Sequence, residues 1–486
     1  MRNIRISTIM NKILSTVMPV LLTVAVAFPG EARDDDGDRW LDSPLPQSWN
    51  GTAANSTATP AVETGIEWWR LFDDPLLDSL ITRGREANYD VAVAGRRIET
   101  ARAQVGQARA AYYPALNLSA GYARQRQSGR MLGPDGSAST TSYFSGEVSM
   151  SWEIDVFGKI TRQVRQKRAE VRVSAAEFES VLIAVDASIA KTYIGLLASR
   201  AQMEVANRHT ERQANILESA EARYAAGLAS KLDVAQARTL YYSTIASIPL
   251  LQASIDASLN ALAVLIGTDI SGLPEGLMTP RPLPEFRQPV DMGVPADLLR
   301  RRPDIDEAAR SIEAAAAALG IARSEYLPSL SVSASAGTAA HRFKDLFTKE
   351  SFTYSVMPTL SWTIFDGFGR RYANEEARQS LHMAVDQYNL TVLTAMEEVR
   401  SAASNYSSYI NYIAQLDNVV ANAAESSVLS FDLYRQGLTD FTDVDNAEMN
   451  YLTYENTLVT ARSNALSALI DLYKALGGSW TNNSDI

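Results

Sequence analysis

The residue types that most often carry enzyme chemistry are few and widely spaced in this sequence. The chain has no cysteine, and its three histidines, His209, His341 and His382, lie far apart. The missing cysteine removes disulfides, thiolate nucleophiles and cysteine metal sites. No HExxH, GxSxG, P-loop or GxGxxG motif is present to bind a metal, activate a serine or cradle a phosphate. We therefore expect no enzyme, no cofactor and no resident metal, with an unrecognised hydrolase as the remaining enzymatic alternative.

The N-terminal segment has the composition of an export signal. Arg2, Arg5 and Lys12 precede a mostly apolar stretch that is too short to span a bilayer comfortably, and small residues follow at a suitable cleavage position. This pattern predicts a signal peptide over 1–32, with a membrane-anchoring helix as the alternative, and an extended leader over 33–66. No later apolar run of about 18 residues stands out, so we expect no transmembrane helix in the rest of the chain. The formal charge of −11 disfavours a nucleic-acid partner.

The chain repeats itself with an offset of about 210 residues. Four short matches occur in the same order, which is difficult to obtain by chance. They pair Pro114 with Pro328, Trp152 with Trp362, Gly227 with Gly437, and Gly267 with Gly477. We therefore predict a tandem duplication, with repeat 1 over 67–267, a linker over 268–293, repeat 2 over 294–478 and a tail over 479–486.

Each repeat predicts the same series of elements. A helical stretch, over 76–111 or 296–324, precedes two strands, a very long helix, a glycine turn and a return helix. The predicted strands cover about 115–125, 143–155, 329–339 and 352–364, the long helices 159–224 and 370–435, and the return helices 232–266 and 441–476. Neither long run contains proline, and each would be about 100 Å long. A helix of that length belongs in a coiled coil or a helical-barrel wall, unless it is divided into shorter helices of a globular bundle.

The four predicted strands alternate apolar with polar residues. Trp152 and Trp362 lie near strand ends, where they fit membrane-interface anchors better than core aromatics. The pattern is typical of transmembrane strands, although two amphipathic hairpins on a soluble sheet would show the same alternation. Four strands cannot close a barrel, which needs at least about eight. A membrane role therefore requires two, three or four copies of the chain, and strand arithmetic does not choose among them.

Two glycine turns join the long helices to the return helices. Gly227 and Gly437 allow positive φ at the helix ends, and Ser230, Thr439 and Asp440 can cap the helices that follow. The turns can be purely structural or can form a docking surface, and the two roles are compatible.

Several motifs together resemble one known family. They are the opening segment Trp68–Asp78, the segment Val294–Ile305, the two Tyr-x-x-Gly turns and the final Leu476–Trp480. These segments resemble the TolC-like outer-membrane factors, in particular the NodT-type group, over nearly the whole chain after the predicted signal. The resemblance implies a mainly α fold with membrane β: a long α-helical barrel plus four transmembrane β-strands per chain. It also implies a homotrimer, in which these strands close a 12-stranded barrel.

The resemblance further implies a function and partners. It points to an export channel in the cell outer membrane, surrounded by outer-membrane lipid, with a helical tunnel into the periplasm. The channel would be the exit duct of a tripartite efflux pump, passively conducting drugs or other small molecules. A periplasmic adaptor and an inner-membrane RND-type transporter would hand them over. The absent cysteine departs from the lipidated NodT-type members. A duct for type I protein secretion is the alternative, followed by a periplasmic tether without a pore.

The resemblance also assigns site residues at the tips of the helices. The expected gate residues are Tyr434, Asp443, Asp445, Asn446 and Thr439. Tyr434 would hold the resting aperture closed, and three copies of Asp443 would form an acidic ring, although Asp443 could simply favour the start of a helix. Asn446 and Thr439 depart from the family pattern, so we expect an altered closing network. The expected adaptor-docking tips comprise Arg223, Tyr224, Gly227, Leu228, Ser230, Asp233, Gly437, Leu438 and Asp440.

Overall fold

The computed structural model describes residues 67–131, 137–284 and 301–478. The predicted signal peptide, the leader up to 66, the later part of the linker and the tail lie outside these residues. In chain order the elements are α1 (Pro75–Ala87), α2 (Tyr89–Ala110), β1 (Ala115–Gln127), β2 (Ser139–Ile154), α3 (Lys159–Ala225), α4 (Lys231–Leu265), α5 (Pro303–Ser324), β3 (Ser329–Ala340), β4 (Phe352–Ser361), α6 (Gly369–Gln436) and α7 (Phe441–Ala475). The predicted fold class, mainly helical with four strands, is confirmed.

Two very long helices dominate the molecule. α3 has 67 residues and α6 has 68, which corresponds to about 100 Å each. A carboxylate caps the start of each helix. Asp155 accepts from the backbone amides of Ile160 and Thr161, both at 2.9 Å, and Asp366 accepts from the amide of Arg370 at 3.1 Å. These bonds satisfy amides that have no partner within the helix and so fix where each helix begins.

The first helical stretch is divided, although the sequence pattern predicts one stretch over 76–111. Asn88 lies between α1 and α2, and its Oδ1 accepts from the amides of Asp90 at 2.7 Å and Val91 at 3.2 Å. Its Nδ2 donates to the carbonyl of Leu265 at the end of α4, at 2.9 Å. Asn88 therefore starts a new helix and ties the α1–α2 corner to a residue far away in sequence, which local periodicity does not reveal.

The strands form one antiparallel sheet in the order β1-β2-β3-β4. The register places Leu118 opposite Val148, Val148 opposite Ala336, and Ala336 opposite Tyr354. Because side chains alternate along a strand, the even-numbered apolar residues share one face. Leu118 is 80% exposed and Tyr354 is 76% exposed. One apolar face of the sheet is therefore uncovered in the single chain.

The strand ends differ from the expected positions. β1 and β2 extend beyond the predicted ranges, whereas β4 ends at Ser361 rather than at 364. The chain leaves β4 early because it must turn sharply into α6. Gly367 and Phe368 both adopt left-handed backbone, with φ of 67° and 69°. A phenylalanine in this conformation is unusual, and alternation of apolar residues alone does not predict it.

The core lies around α3, which contacts α1, α2, α4, α5 and α7. Fully buried side chains there include Leu80 of α1, Ile189 and Tyr193 of α3, Leu262 of α4 and Leu469 of α7. Helices on several sides of α3 explain why apolar residues occupy much of its circumference.

Two helices contradict the expectation that no apolar run of membrane length follows the N-terminal segment. α3 and α4 each contain an 18-residue window that could cross a membrane by length and composition alone. In α3, 56% of this window is buried inside the protein, compared with 22% in α4. Packing within the chain accounts for much of the apolar content of α3.

Candidate gate at the helical tips

Both long helices end in the same kind of glycine turn. Gly227 after α3 and Gly437 after α6 have φ of 75° and 76°. In each turn, the amide of the following leucine bonds back into the last helical turn. Leu228 donates to the Arg223 carbonyl at 2.8 Å, as Leu438 does to the Leu433 carbonyl at 3.0 Å. This is the hydrogen-bond pattern of a glycine C-cap, which reverses the chain with few residues.

The helices that return from the two turns start differently. Ser230 is the N-cap of α4, and its Oγ accepts from the Asp233 amide at 3.2 Å. Asp440 occupies the same position before α7, but its side chain makes no capping hydrogen bond. Thr439 does not cap α7 either, since its hydroxyl donates to Asp443 Oδ2. Asp440 therefore occupies the expected N-cap position but does not cap through its side chain. The expected capping role of Thr439 is wrong, because its hydroxyl bonds to Asp443.

Tyr434 connects the two helical hairpins just above the tips. Its side chain is 2% exposed, and its hydroxyl donates to Asp233 Oδ2 of α4 at 3.2 Å. The ring packs edge-on against Phe441, with centroids 5.3 Å apart. Burial, and then the neighbouring Asp233 carboxylate, raise the pKa of Tyr434, so the hydroxyl keeps the proton that it donates. Tyr434 thereby joins the α6–α7 hairpin to the α3–α4 hairpin.

Arg223 makes a second connection at the same level. Its Nη1 donates to the Arg435 carbonyl at 2.6 Å, and its guanidinium lies 4.9 Å from the centroid of the Tyr434 ring. The side chain therefore bridges α3 to the end of α6 and covers the tyrosine with a positive charge.

A small apolar cluster supports these polar contacts. All four helices of the two hairpins contribute to it. Its members are Ile216, Ala220, Ala237, Tyr434, Phe441 and Val444. The cluster is separate from the main core, so the tips have their own packing unit.

The outermost residues of both turns are uncovered in the single chain. Leu228 is 67% exposed, Leu438 is 69% exposed and Tyr224 is 48% exposed. Exposed apolar residues at a turn cost free energy in water unless another surface covers them. The geometry is therefore compatible with a docking surface at the tips.

Carboxylates and one amide line the first turns of α7. Asp443 and Asn446 are exposed, whereas Asp445 is half-buried. Burial raises the pKa of Asp445. These positions place an exposed negative charge beside the Tyr434 contact. No group of three or more histidine, aspartate or glutamate side chains within 67–131, 137–284 and 301–478 is arranged to hold a metal ion.

The two predicted interface tryptophans occupy corresponding places at the base of the sheet. Trp152 Nε1 donates to the Tyr112 carbonyl at 3.0 Å, and Trp362 Nε1 donates to the Tyr326 carbonyl at 3.1 Å. Trp362 lies just beyond the end of β4 and is 60% exposed. An amphipathic ring with its N–H satisfied fits the boundary between sheet and helices.

Tyr434 and Asp233 are both expected at the tips from the sequence, but in different sites, the gate and the docking surface. The structure brings them into direct contact. The 210-residue repeat aligns Tyr434 with Tyr224 and Asp233 with Asp443. This repeated combination of tyrosine and aspartate is the sequence feature from which a contact between the two residue types could be predicted.

Comparison with known proteins identifies the family. The sequence matches the family described as outer membrane efflux protein over residues 80–268 and 294–478. The toluene efflux pump outer membrane protein TtgF of Pseudomonas putida is 30% identical over 421 residues, which cover 86% of each chain. The pyoverdine export outer membrane protein OpmQ of Pseudomonas aeruginosa is 29% identical over 453 residues, covering 91% of this chain and 93% of OpmQ.

Solved structures give the same result. The outer-membrane channel OprN superposes with a TM-score of 0.81 at 27% identity, covering 90% of this chain and 97% of OprN. With the family match extending over most of its sequence, the chain belongs to the outer membrane efflux protein family.

Proposed function

We propose that this outer-membrane efflux protein is one protomer of a homotrimeric exit duct that is gated at the tips of its helical hairpins. The observation that carries the proposal is the Tyr434–Asp233 bond, at the end of helices about 100 Å long. This bond acts together with the Arg223 contact to the Arg435 carbonyl and with the small apolar cluster to join the two hairpins at their tips. A tether without a pore would need no such contact and no exposed apolar sheet face.

The open sheet supports assembly of several copies. β1 and β4 are edge strands in the single chain, and lipid does not tolerate unpaired backbone groups. Each edge must therefore pair with another copy if the sheet crosses the outer membrane. Three copies would give a 12-stranded barrel, in line with the family resemblance, with Trp152 and Trp362 at the membrane boundary and lipid on the apolar face.

A tandem duplication explains the construction of each protomer. The same family description matches two consecutive segments, 80–268 and 294–478. α2 and α5 have 22 residues each, and α4 and α7 have 35 each. We propose that the two halves arose from one ancestral unit and that each supplies one hairpin to the helical wall.

The tips are the proposed contact with a periplasmic adaptor, which would connect the duct to an RND-type inner-membrane transporter. Exposed Leu228 and Leu438 supply apolar area there, and Tyr224 adds an amphipathic ring. Relatives named for toluene efflux and pyoverdine export favour small-molecule cargo over secreted protein.

Processing at the N-terminus is a further part of the proposal. Cleavage after residue 32 would leave a mature chain without an acyl group, since the sequence has no cysteine. Intact-mass measurement of protein purified from the outer membrane tests this. A mass that retains 1–32, or that carries fatty acid, would overturn it.

The assembly and the duct can be tested together. Native mass spectrometry of the purified protein should give three chains, and planar-bilayer recording should give a low but measurable conductance. A dimer or tetramer would exclude the 12-stranded barrel. A trimer that never conducts would favour the tether over the duct.

A further inference from the structure

A buried ionic cluster lies where α3 passes α7, above the tips. His209 of α3 is 1% exposed and Glu448 of α7 is 0% exposed. At about 1.5 Å per residue, His209 lies roughly 24 Å before the end of α3. Charged groups are seldom buried unless they are paired, and neither the tip contacts nor the main core uses this cluster.

The geometry places a carboxylate against each nitrogen of the His209 ring. Nε2 donates to Glu455 Oε2 at 2.8 Å, and Nδ1 lies 3.7 Å from Glu448 Oε2. Nδ1 and Glu448 Oε2 are both buried and have no hydrogen-bond partner within the described residues. Arg212 also reaches Glu448, with Nη2 2.8 Å from Oε1.

This arrangement requires a proton on each ring nitrogen. A neutral imidazole has one N–H and one lone pair. If Nε2 keeps its proton for Glu455, a neutral ring would direct the Nδ1 lone pair at the Glu448 carboxylate, at a buried site where such repulsion is weakly screened. An imidazolium presents a donor to both carboxylates. The protonated ring therefore holds α3 to α7, and the neutral ring does so less well.

The surrounding elements supply no other buried cation for these carboxylates within the described part of the chain. α3 contributes Arg208, 3.3 Å from Glu455, in addition to Arg212. α7 contributes Tyr451, whose ring centroid is 4.8 Å from that of His209. α6 contributes the Ser427 hydroxyl, which donates to Glu448. The neighbouring charged residues of α6, Glu425 and Asp432, are both exposed. Helix α4 has no charged residue between Arg238 and Asp256.

We propose that His209 and its two glutamate partners form a proton-dependent clamp that holds the second hairpin against the first and thereby positions the gate. This inference rests on the proposed gating function. Glu448 lies about 10 Å from the start of α7, so an outward movement of the α6–α7 tip must separate it from α3. The three clamp residues act through the position of Tyr434 and are not themselves at the aperture.

The pH dependence has a defined sign. Burial lowers the pKa of His209, but the nearby carboxylates of Glu448 and Glu455 outweigh it, and the net shift is upward from 6.5. Burial raises the pKa of each glutamate, but the contacts with His209 and with neighbouring groups more than reverse this, so both pKa values are lowered from 4.5. The further groups are Ser427 and Arg212 for Glu448, and Arg208 and Tyr451 for Glu455. The clamp is therefore complete below the ordinary histidine value and is lost as pH rises through the raised value. On the acid side, the clamp is complete above the ordinary glutamate pKa of 4.5 and is lost as pH falls through the lowered glutamate values.

The first test measures basal conductance against pH in planar bilayers. Wild-type channels should open more as pH rises from 6 to 9, by about tenfold if one pKa unit of interaction is lost. His209→Gln should be open at pH 6 and nearly independent of pH. His382→Gln is the matched control, since His382 is an exposed histidine of α6, and it should behave as wild type. Equal pH profiles for wild type and His209→Gln would overturn the clamp.

A second measurement is independent of conduction. Because the chain has no cysteine, spin labels can be placed at exposed Glu218 of α3 and Asp432 of α6, with labelled chains diluted by unlabelled ones. The distance between the labels should lengthen as pH rises in wild type and stay long in His209→Gln. If the distance responds and no protein conducts, the proposed duct fails and the clamp stands; if a conducting protein shows no pH-dependent distance, the clamp fails.

A third variant covers the case in which replacing buried groups prevents folding. Glu455 is less buried than Glu448, with a side chain 14% exposed. Glu455→Gln keeps the shape and removes one charge, so its pH profile should shift to lower pH with the trimer intact. A profile unmoved by Glu455→Gln would contradict the clamp.

Discussion

The hydroxyl of Tyr434 donates to Asp233 across the two hairpins at 3.2 Å, whereas Tyr224, which occupies the corresponding place 210 residues earlier, is 48% exposed. The two halves are alike in length and in their glycine turns, but they differ at this contact. Asp443, the counterpart of Asp233, accepts from Thr439 instead. Each chain therefore holds Tyr434 in a hydrogen bond within the chain, whereas Tyr224 stays at the surface.

Asp443 should control ion selectivity at the aperture. Three exposed carboxylates near one axis would concentrate negative charge, so Asp443→Asn should lower the preference for cations and weaken block by trivalent cations. Asp445→Asn should change selectivity less, because a side chain two residues along a helix points about 200° away. Reversal potentials in a salt gradient provide the measurement. If Asp443→Asn folds as a trimer with unchanged selectivity and block, Asp443 is only a helix-start residue.

Gly477 should tolerate no side chain. It has φ of 98°, and an added Cβ would lie 2.4 Å from the carbonyl oxygen of Arg301. Gly477→Ala should therefore destabilise the protein by about 1–3 kcal/mol. Gly195→Ala is the control, since that glycine lies inside α3 with open space around it, and alanine should stabilise the helix by about 0.5–1 kcal/mol. Thermal unfolding of both variants provides the measurement. Equal changes in melting temperature would show that the close approach of Gly477 to Arg301 does not exclude a side chain.

Gln213 should be replaceable by an apolar residue. It is 1% exposed, and neither polar atom of its side chain has a hydrogen-bond partner within the described residues. Because an unsatisfied buried polar group costs about 1–3 kcal/mol, Gln213→Met should raise the free energy of unfolding by roughly 1 kcal/mol. Gln202, which donates to Thr460 at 3.1 Å, provides the comparison, and Gln202→Met should be neutral or destabilising. Denaturant unfolding gives the two free energies of unfolding. If Gln213→Met is the more destabilising variant, the Gln213 side chain has hydrogen-bond partners in the assembly.

The hairpin tips of the sheet should face the cell exterior and the helical tips the periplasm. Cysteines introduced at exposed Ser137 and Lys344 should react with an impermeant reagent on intact cells. A cysteine at Ala229 should react only after the outer membrane is permeabilised. The absence of native cysteine gives a clean background. Labelling of Ala229 alone on intact cells would reverse the topology.

The regular elements could be predicted from the sequence because their determinants are local. Proline-free apolar periodicity predicts α3 and α6, and strict alternation predicts the strands. The capping carboxylate Asp155 lies next to the helix it starts. The helix break at Asn88 could not be predicted in this way, because its amide is fixed by the distant Leu265 carbonyl as well as by its neighbours.

The residues of the candidate gate could be predicted from the sequence, but their hydrogen-bond partners could not. Resemblance indicates Tyr434 and Asp443, but the partner of Tyr434 lies 201 residues away. The contact between His209 and Glu448 could not be predicted for the same reason. His209 and Glu448 look like ordinary surface residues of amphipathic helices, and only the packing of α3 against α7 buries them together.

The most direct test of the gated duct is a double-mutant cycle on the bond between Tyr434 and Asp233. Single-channel conductance should be recorded for wild type, Tyr434→Phe, Asp233→Ala and the double variant, with Tyr242→Phe as a control at an exposed tyrosine of α4. Because a hydrogen bond to a charged group contributes about 1.5–3 kcal/mol, each single variant should raise basal opening by roughly tenfold or more. The double variant should open little further. Intact trimers whose low basal conductance is unchanged in both single variants would contradict a gate held by this contact.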